Sequence, residues 1–379
     1  IPDDWEVNRF TDIAELIHGF QFREEHFAEN GRFGVIKIGN LTYQGNISLD
    51  NLSKSDCEGI NNYERLFLRR GDILMALTGG TLGKMSIFNL EENRYLQNYR
   101  VGKFEPNEKS IKNYIYYLLS STYVQKRIED NVNEAAQPNF GKQDFDKIKI
   151  PLPPLPEQKK IADCLSTWDS AIEKQSALIN ALTDRKKALM QQLLTGKKRL
   201  PGFSGEWKEV KLGEISIKKS STLQANSLEE NNGEFKVYGA SGIVANIDFY
   251  NESEEYIGIV KDGSGVGNLM LCDAKSSVLG TLDIIKNNKK SNLFFIYLIL
   301  SKIHFEKYKV GGAIPHIYYR DYSREKINIP SLSEQTAIAA ILATADRELT
   351  LQKEKLAQLQ QQKKGLMQVL LTGKKRLIN

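Results

Sequence analysis

Apolar positions recur at alternating spacings of four and three residues in two long stretches of the chain. In the first stretch, about residues 157–195, these positions are Ile161, Leu165, Trp168, Ile172, Gln175, Ile179, Leu182, Lys186, Leu189 and Leu193. In the second stretch they are Ile338, Leu342, Ala345, Leu349, Gln352, Leu356, Leu359, Lys363, Leu366 and Leu370. This heptad spacing predicts two long helices with a coiled-coil seam. Both seams are interrupted at the same two places, by a Gln and a Lys, which favours helices that pair with each other. The alternative is two separate amphipathic helices, each packed on its own domain.

Signals for the starts and ends of these helices agree with the periodicity. Pro156 suits the first turn of one helix and Ser333 suits the N-cap of the other. Gly196 and Gly373 fit the stop position, and each is followed by basic residues. For an antiparallel pair centred on a pseudo-two-fold axis, we expect Gln175 to face Lys363 and Lys186 to face Gln352. A register shifted by one heptad is the alternative.

The chain contains an internal duplication. The octapeptide LLTGKKRL begins at residue 193 and again at residue 370, an offset of 177. The same offset pairs Glu157-Gln158 with Glu334-Gln335, and Asp169 with Asp346. A single repeat of this length indicates a duplicated domain and not a solenoid.

The segments before and between the helices are two diverged globular units. DDWEVNRFTDIA at 3–14 corresponds to GEWKEVKLGEIS at 205–216, and IYYLLSS at 115–121 corresponds to IYLILSK at 296–302. Short β-branched and aromatic runs predict strands at 35–38, 73–77, 85–88, 235–238, 257–260 and 281–285. Helices are predicted at 111–130 and 292–307. The resulting α+β organisation is a first globular domain at 1–150, a central long helix at 151–199, a second globular domain at 200–330 and a C-terminal long helix at 331–379.

Composition narrows the class of protein only a little. The chain has 379 residues, 41% hydrophobic and 26% charged, as in an ordinary soluble globular protein, and its net charge of +5 permits nucleic-acid binding without requiring it. Three well-separated cysteines indicate a reducing, cytoplasmic setting. No apolar run has the length of a membrane span, and no signal peptide is evident.

Motifs that would indicate catalysis fail on inspection. TGGTLGKMS at 78–86 has Thr78 where a phosphate-binding loop needs Gly, and Met85 where it needs Ser or Thr. DGSGVGN at 262–268 is not a dinucleotide-binding motif. The histidines, at 18, 26, 304 and 316, show no metal-ligand spacing. We therefore expect no catalytic residue and no metal site, and we interpret the two Gly-rich segments as a shared surface loop whose Lys84 or Lys261 could contact a phosphate.

The arrangement as a whole resembles the specificity subunit of type I restriction–modification enzymes. The resemblance rests on IPLPPLPEQKKIADCLSTWDSAIEKQ and its weaker copy IPSLSEQTAIAAILATADRELTLQ, and on the tails LMQQLLTGKKRL and LMQVLLTGKKRL. It rests also on RRGDILMALTGGTLGK at 69–84 with AQPNF at 136–140. The second unit departs from this last pattern, since its counterpart is EEYIGIVKDGSGVGN at 254–268.

The resemblance implies two mixed α/β target recognition domains, separated by two long antiparallel coiled-coil helices with pseudo-two-fold symmetry. Each domain would bind one half of a bipartite double-stranded DNA target, and the helices would set the spacer. The implied partners are two methyltransferase subunits and two restriction/translocase subunits, which would carry S-adenosylmethionine, ATP and Mg²⁺, while this subunit would hold no cofactor and catalyse nothing. The competing hypothesis is a non-enzymatic coiled-coil adaptor that binds proteins.

Polar loops around the Gly-rich segments and the helix-to-linker segments supply the candidate DNA contacts. They are Arg69, Lys84, Asn98, Tyr99, Arg100, Lys261, Lys275, His316, Tyr319 and Arg320. At roughly 55–60 Å each, the predicted helices are long enough to separate half-sites that lie about one DNA turn, or 34–36 Å, apart.

Overall fold

The structure is a computed structural model that describes residues 2–42, 45–132, 139–228 and 233–377. The chain divides into two compact units. The first unit consists of Ile1–Gln175 with Lys355–Asn379, and the second consists of Ser176–Glu354. Each unit therefore contains one globule, the first half of one long helix and the second half of the other.

The described strands of the first unit form three small sheets. Its strands are β1 Glu6–Arg9, β2 Ala14–His18, β3 Phe33–Ile36, β4 Ser53–Ser55, β5 Ile73–Ala76, β6 Met85–Ile87, β7 Tyr95–Gln97, β8 Val101–Pro106 and β9 Lys149–Leu152. A four-stranded sheet has the order β2-β8-β5-β6, a three-stranded sheet has the order β4-β3-β7, and β1 pairs with β9. The predicted strands at 35–38, 73–77 and 85–88 overlap β3, β5 and β6.

Helices follow β8, and the last of them leads out of the globule. They are α1 Lys112–Ser120, α2 Thr122–Val132, α3 Lys142–Asp146 and the long α4 Leu155–Leu193. The single helix predicted at 111–130 is divided at Ser121. The Ser121 hydroxyl donates to the Leu118 carbonyl at 2.6 Å and accepts the Val124 amide at 3.3 Å, so this residue ends α1 and caps α2.

The second unit repeats the same sheet orders. Its strands are β10 Lys208–Lys211, β11 Ser216–Ser220, β12 Phe235–Gly239, β13 Gly242–Ile247, β14 Tyr256–Val260, β15 Leu269–Cys272, β16 Ser277–Val278, β17 Leu282–Asn287 and β18 Lys326–Ile329. They form sheets in the orders β11-β17-β14-β15 and β13-β12-β16, with β10 paired to β18. The helices are α5 Leu293–Leu300, α6 Tyr319–Tyr322 and the long α7 Leu332–Leu370. The helix predicted at 292–307 is too long, because after Leu300 the chain turns so that Phe305 can pack on the ring of Tyr322.

The two long helices pack together in antiparallel fashion. In the first unit, Ile161 and Leu165 near the start of α4 share a core with Leu370 at the end of α7. In the second unit, Leu193 at the end of α4 shares a core with Ile338 near the start of α7. Every predicted seam residue is buried or half-buried, including the two glutamines and the two lysines. The prediction that the two helices pair with each other is confirmed.

The predicted partners of the seam lysines are wrong. In the first unit Lys363 forms an ion pair with Asp169, six residues before Gln175. In the second unit Lys186 forms the same ion pair with Asp346. A half-buried ammonium group gains more from a carboxylate than from an amide. The observed register is therefore closer to the alternative, which is shifted by one heptad.

A buried glutamine fastens each globule to the start of a long helix. Gln158 accepts the Ile111 amide at 3.0 Å and donates to the carbonyls of Lys109 and Pro153. Gln335 makes the same three contacts in the second unit, with Asn292, Lys290 and Pro330. Each glutamine thus satisfies three backbone groups beside the first turn of α1 or α5, which explains why this residue type recurs in the duplication.

The basic tail of each LLTGKKRL segment folds back onto the other helix. Arg376 donates to both carboxylate oxygens of Glu157 at 2.7 Å, and Trp5 donates to the same carboxylate at 3.0 Å. Burial opposes ionisation of Glu157, but these hydrogen bonds outweigh it and hold the pKa of the carboxyl below its ordinary value. In the second unit, Arg199 likewise donates to both carboxylate oxygens of Glu334 at 2.7 Å.

The predicted helix ends are confirmed, with one correction. Gly196 and Gly373 have φ of +69° and +71°, as a left-handed stop residue requires. Pro156 lies in the first turn of α4. Ser333, however, lies inside the first turn of α7 and is not its N-cap; Ser331 comes before the helix, and its hydroxyl accepts the Glu334 amide at 3.4 Å.

Candidate nucleic-acid interface

A nine-residue Gly-rich turn joins two strands of the large sheet in the first unit. It covers residues 76–84, between β5 and β6. The Ala76 amide donates to the Lys84 carbonyl, and the Gly83 amide donates back to the Ala76 carbonyl, both at 2.9 Å. Gly79 and Gly83 have φ of +72° and +80°, where a side chain would be strained. The glycines are therefore required by this backbone path, and the turn is not a phosphate-binding loop that leads into a helix.

The second unit has the same Gly-rich turn at residues 260–268. The Val260 amide donates to the Asn268 carbonyl at 2.9 Å, and the Gly267 amide donates to the Val260 carbonyl at 2.8 Å. Gly263 and Gly267 have φ of +95° and +90°, at the positions of Gly79 and Gly83. The predicted common surface loop is confirmed, although the two turns share few residues other than glycine.

Each Gly-rich turn is held beside two other segments. The Leu77 amide donates to the Arg100 carbonyl, and the Leu77 carbonyl accepts the Phe140 amide, both at 2.9 Å. In the second unit the Lys261 amide donates to the Thr281 carbonyl and its carbonyl accepts the Ile317 amide, both at 3.0 Å. Of the AQPNF segment, Asn139 and Phe140 belong to this arrangement, whereas 136–138 lie outside the described residues. In each unit the fold thus brings together the Gly-rich turn, the start of β8 or β17, and the segment before α3 or α6.

Four of the predicted DNA contacts in the first unit lie in this gathered region. Arg100 is exposed, its Nε donates to the Tyr99 hydroxyl at 2.7 Å, and its guanidinium carbon lies 5.3 Å from the Tyr99 ring centre. Lys84 is half-buried at the end of the Gly-rich turn. Asn98 is only 6% exposed, and its side-chain oxygen accepts the Arg100 amide at 3.2 Å. Asn98 therefore shapes the bend that presents Arg100.

In the second unit, Lys261 lies in the Gly-rich turn, His316 bridges to it, and Arg320 lies on α6 shortly after that bridge. His316 Nδ1 is 2.7 Å from an Asp262 carboxylate oxygen. Lys261 is half-buried, with its Nζ 3.5 Å from an Asp283 carboxylate oxygen, so its charge is partly neutralised within the unit. Arg320 is exposed, with its guanidinium carbon 5.0 Å from the ring centre of Tyr318. Tyr318 is not among the residues predicted from the sequence, although an aromatic residue close to an arginine in a polar loop would have been the signal.

Three predicted residues lie elsewhere or point inward. Arg69 precedes β5, whereas the Gly-rich turn follows it, so the length of a strand separates the two. Lys275, with φ of +53°, lies beyond the end of β15 that is remote from the Gly-rich turn. The Tyr319 hydroxyl donates to the Ser216 carbonyl at 3.0 Å, and its ring packs on Tyr322, which indicates a structural role.

The side chains beside the Gly-rich turns include groups that suit a polyanion. Each unit presents an arginine beside a tyrosine ring, a combination that can bind phosphates and stack on bases. Among the residues that the structure describes, no three His, Cys, Asp or Glu side chains are grouped so as to hold a metal ion. Within those same ranges, no helix is both long and apolar enough to cross a membrane.

Known proteins share both the sequence pattern and the fold. The chain is 27% identical, over its full length and 95% of the relative, to a putative type I restriction enzyme specificity subunit, MjaX, of Methanocaldococcus jannaschii. It is 34% identical to the MjaVIII specificity subunit of the same organism, over 54% of this chain and 48% of that one.

Solved structures give the same fold at low sequence identity. The S subunit of a type I restriction–modification system from M. genitalium matches with a TM-score of 0.67 at 18% identity, over 97% of this chain and 96% of that one. A chain from a study of type I R-M complex assembly matches with a TM-score of 0.58 at 16% identity, over 98% of both chains.

A family model described as the type I restriction modification DNA specificity domain matches residues 2–184 and again residues 204–361. These two matches together cover most of the chain, and each includes one Gly-rich turn. The chain therefore belongs to the type I restriction modification DNA specificity domain family.

Proposed function

We propose that this chain is the sequence-specificity subunit of a type I restriction–modification complex. Each globule binds one half of a bipartite DNA target, and the paired long helices set the distance between the halves. The chain itself is non-catalytic. Adenine methylation from S-adenosylmethionine is the work of two methyltransferase subunits that dock on the helices, and ATP and Mg²⁺ serve two restriction/translocase subunits. The complex acts in the cytoplasm, where these partners meet DNA.

One observation carries this proposal: the same Gly-rich turn occurs once in each unit, with the same hydrogen bonds and the same left-handed glycines. The side chains that surround it differ between the units. A retained backbone frame with different side chains is what two domains need if they bind different sequences in the same way. A protein-binding adaptor has no comparable need for two equivalent frames beside arginine–tyrosine pairs.

The charges near the turns are consistent with the division of roles between phosphate and base contacts. Arg100 and Arg320 are exposed, so they suit phosphate oxygens or the acceptor edge of guanine, although the Nε of Arg320 lies 3.7 Å from an Asp321 carboxylate oxygen. Lys261 and His316 are each paired with a carboxylate of their own unit, so they contribute less to the general attraction for DNA.

Mapping methylated adenines in cells that express this chain with its methyltransferase tests the proposal. We expect a bipartite motif with a fixed, unspecified spacer. Exchanging residues 1–150 for the same unit of a relative should replace one half of the motif and leave the other half unchanged. Methylation at a continuous motif, or replacement of both halves, would contradict the proposal.

A further inference from the structure

The second unit contains an open cavity of about 400 Å³ between the end of α4, the end of α5 and β18. Its floor is apolar, because Leu194 and Ile299 are almost fully buried there and Ile303 and Ile327 are half-buried. The volume falls within the roughly 300–1,000 Å³ typical of binding pockets.

The duplication identifies the corresponding place in the first unit. The Ile111 amide donates to Gln158 at 3.0 Å, and the Asn292 amide donates to Gln335 at 3.1 Å. Because the two glutamines occupy the same repeat position, these bonds align α1 with α5. Counting the same number of residues onward from each bonded amide reaches Tyr123, at the start of α2, and His304, which follows the turn after α5 and lies on the rim of the cavity.

Tyr123 covers this place in the first unit. Its ring packs against the core that contains Leu371 and Ile150, the repeat equivalents of Leu194 and Ile327. Its hydroxyl donates to the Lys149 carbonyl at 2.8 Å, and the Arg127 guanidinium carbon lies 3.6 Å from the ring centre. The first unit therefore uses its own aromatic side chain here, whereas the second unit has an exposed histidine and an open cavity.

The rim of the cavity carries net positive charge. Lys307 is paired with Glu325, which is the one carboxylate among the described residues that line the cavity. The side chain of Lys302 is exposed and makes no ion pair or hydrogen bond within the ranges that the structure describes. An occupant with a carboxylate next to its apolar group would complete this charge pattern.

We propose that this cavity receives a tyrosine or phenylalanine side chain from a partner protein, next to an acidic residue that pairs with Lys302. The ring would take the place that Tyr123 takes in the first unit, and a tyrosine hydroxyl would donate to the Lys326 carbonyl, the repeat equivalent of Lys149. A buried aromatic anchor of this kind typically dominates the energy of an interface. The inference rests on the proposed function, because the expected donor is the methyltransferase subunit.

The duplication supplies the variant that tests this inference. His304→Tyr should place a tyrosine where the first unit has one, and so close the cavity from within. We expect this variant to have a raised thermal midpoint and to bind the methyltransferase subunit that docks on the second unit at least tenfold more weakly than the unaltered chain does, while the other methyltransferase subunit still binds. His304→Ala, which leaves the cavity open, should retain the affinity within about threefold. Equal binding by His304→Tyr, or an equal loss with His304→Ala, would overturn the inference.

A small probe separates this inference from the proposed function. p-Cresol, the side chain of tyrosine, should bind the unaltered chain with a Kd on the order of 1 mM, as expected for so small a ligand. p-Cresol should not bind the second unit of the His304→Tyr variant. The Tyr123→His variant should gain a second p-cresol site, in its first unit. NMR detects both changes. If the unaltered chain fails to bind its methyltransferase, the proposed function fails. In that case selective loss of p-cresol binding in His304→Tyr would still support the cavity, and unchanged p-cresol binding would refute it.

Discussion

Arg376 meets Glu157 through two hydrogen bonds of 2.7 Å, from Nε to Oε1 and from Nη2 to Oε2. The same guanidinium also donates two hydrogen bonds to Asp4, at 2.8 and 2.7 Å. One side chain near the end of the described chain thus ties the first turn of α4 to the segment that leads into β1. The second unit repeats the contact with Arg199 and Glu334, which are the same residues displaced by one repeat.

Removing this arginine should destabilise the first unit. Arg376→Ala leaves the buried Glu157 carboxylate without its main partner, and an unpaired buried charge is strongly destabilising. We expect the thermal midpoint at pH 7 to fall by roughly 5 °C or more. For Arg376→Lys, which keeps the charge but loses the two-point geometry, the thermal midpoint should fall less. Calorimetry of the two variants checks the order, and equal midpoints for Arg376→Ala and the unaltered chain would contradict it.

This loss should depend on pH. The pKa of Glu157 is lower in the folded chain than its ordinary value near 4.5. A carboxyl of this kind contributes stability above the unfolded pKa, and the contribution disappears as the pH falls through the folded pKa. The difference in midpoint between Arg376→Ala and the unaltered chain should therefore be constant between pH 6 and 7 and should narrow below about pH 4.5. A difference that grows in acid would mean that the contact does not act through the ionised carboxylate.

Substitution of two arginines of the first unit tests whether DNA binds at the Gly-rich turn or elsewhere on the globule. Arg100 lies beside the turn, and Arg69 lies at the other end of β5. If DNA binds at the turn, Arg100→Ala should weaken binding about tenfold or more, since a good arginine contact is worth about 1–3 kcal/mol. Arg69→Ala should weaken it much less. The difference is measured by titrating DNA into the complex of each variant with the methyltransferase, at one salt concentration. A larger effect of Arg69→Ala would place the interface at the opposite end of the strand.

Glycine is required at two places in the second Gly-rich turn for different reasons. Gly263 and Gly267 both have positive φ, so alanine at either position is strained by roughly 1–2 kcal/mol. A Cβ on Gly263 would meet nothing within 4 Å, whereas one on Gly267 would lie 2.8 Å from the Cβ of Phe305. Gly267→Ala should therefore lower the thermal midpoint more than Gly263→Ala does. Equal losses would show that the backbone strain alone decides the outcome, and a larger loss with Gly263→Ala would contradict the prediction.

Repeated residues in the sequence predicted the long helices well, because a heptad seam and a left-handed glycine are local signals. The partners across the seam could not be predicted in the same way. Asp169 and Asp346 lie beside the seam series and not in it, so their ion pairs with Lys363 and Lys186 depend on how the helices slide past each other. The repeat itself contained the missing signal, since both aspartates recur at the offset of 177.

The Gly-rich turns show the opposite case, in which structure is retained where sequence is not. Residues 76–84 and 260–268 have almost nothing in common except two glycines, because backbone hydrogen bonds define the turn and most side chains around it are free to vary. The same freedom explains why candidate DNA contacts were hard to select. Arg69 and Lys275 look as favourable as Arg100 in sequence, and only the direction of the strands separates them.

The paired helices provide a direct test of how the spacer is set. Inserting one heptad into both α4 and α7 keeps the apolar seam in phase and lengthens the pair by about 10 Å, which is roughly three base pairs of B-DNA rise. If the helices determine the distance between half-sites, the methylation motif of the lengthened subunit should have a spacer longer by up to three base pairs, with DNA distortion absorbing any remainder. Both half-site sequences should stay the same, because no residue of either globule is altered. An insertion into α4 alone serves as the control and should abolish activity, since it breaks the match between the two seams. An active double insertion with an unchanged spacer would refute this role of the helices, and altered half-sites would mean that the helices themselves contact bases.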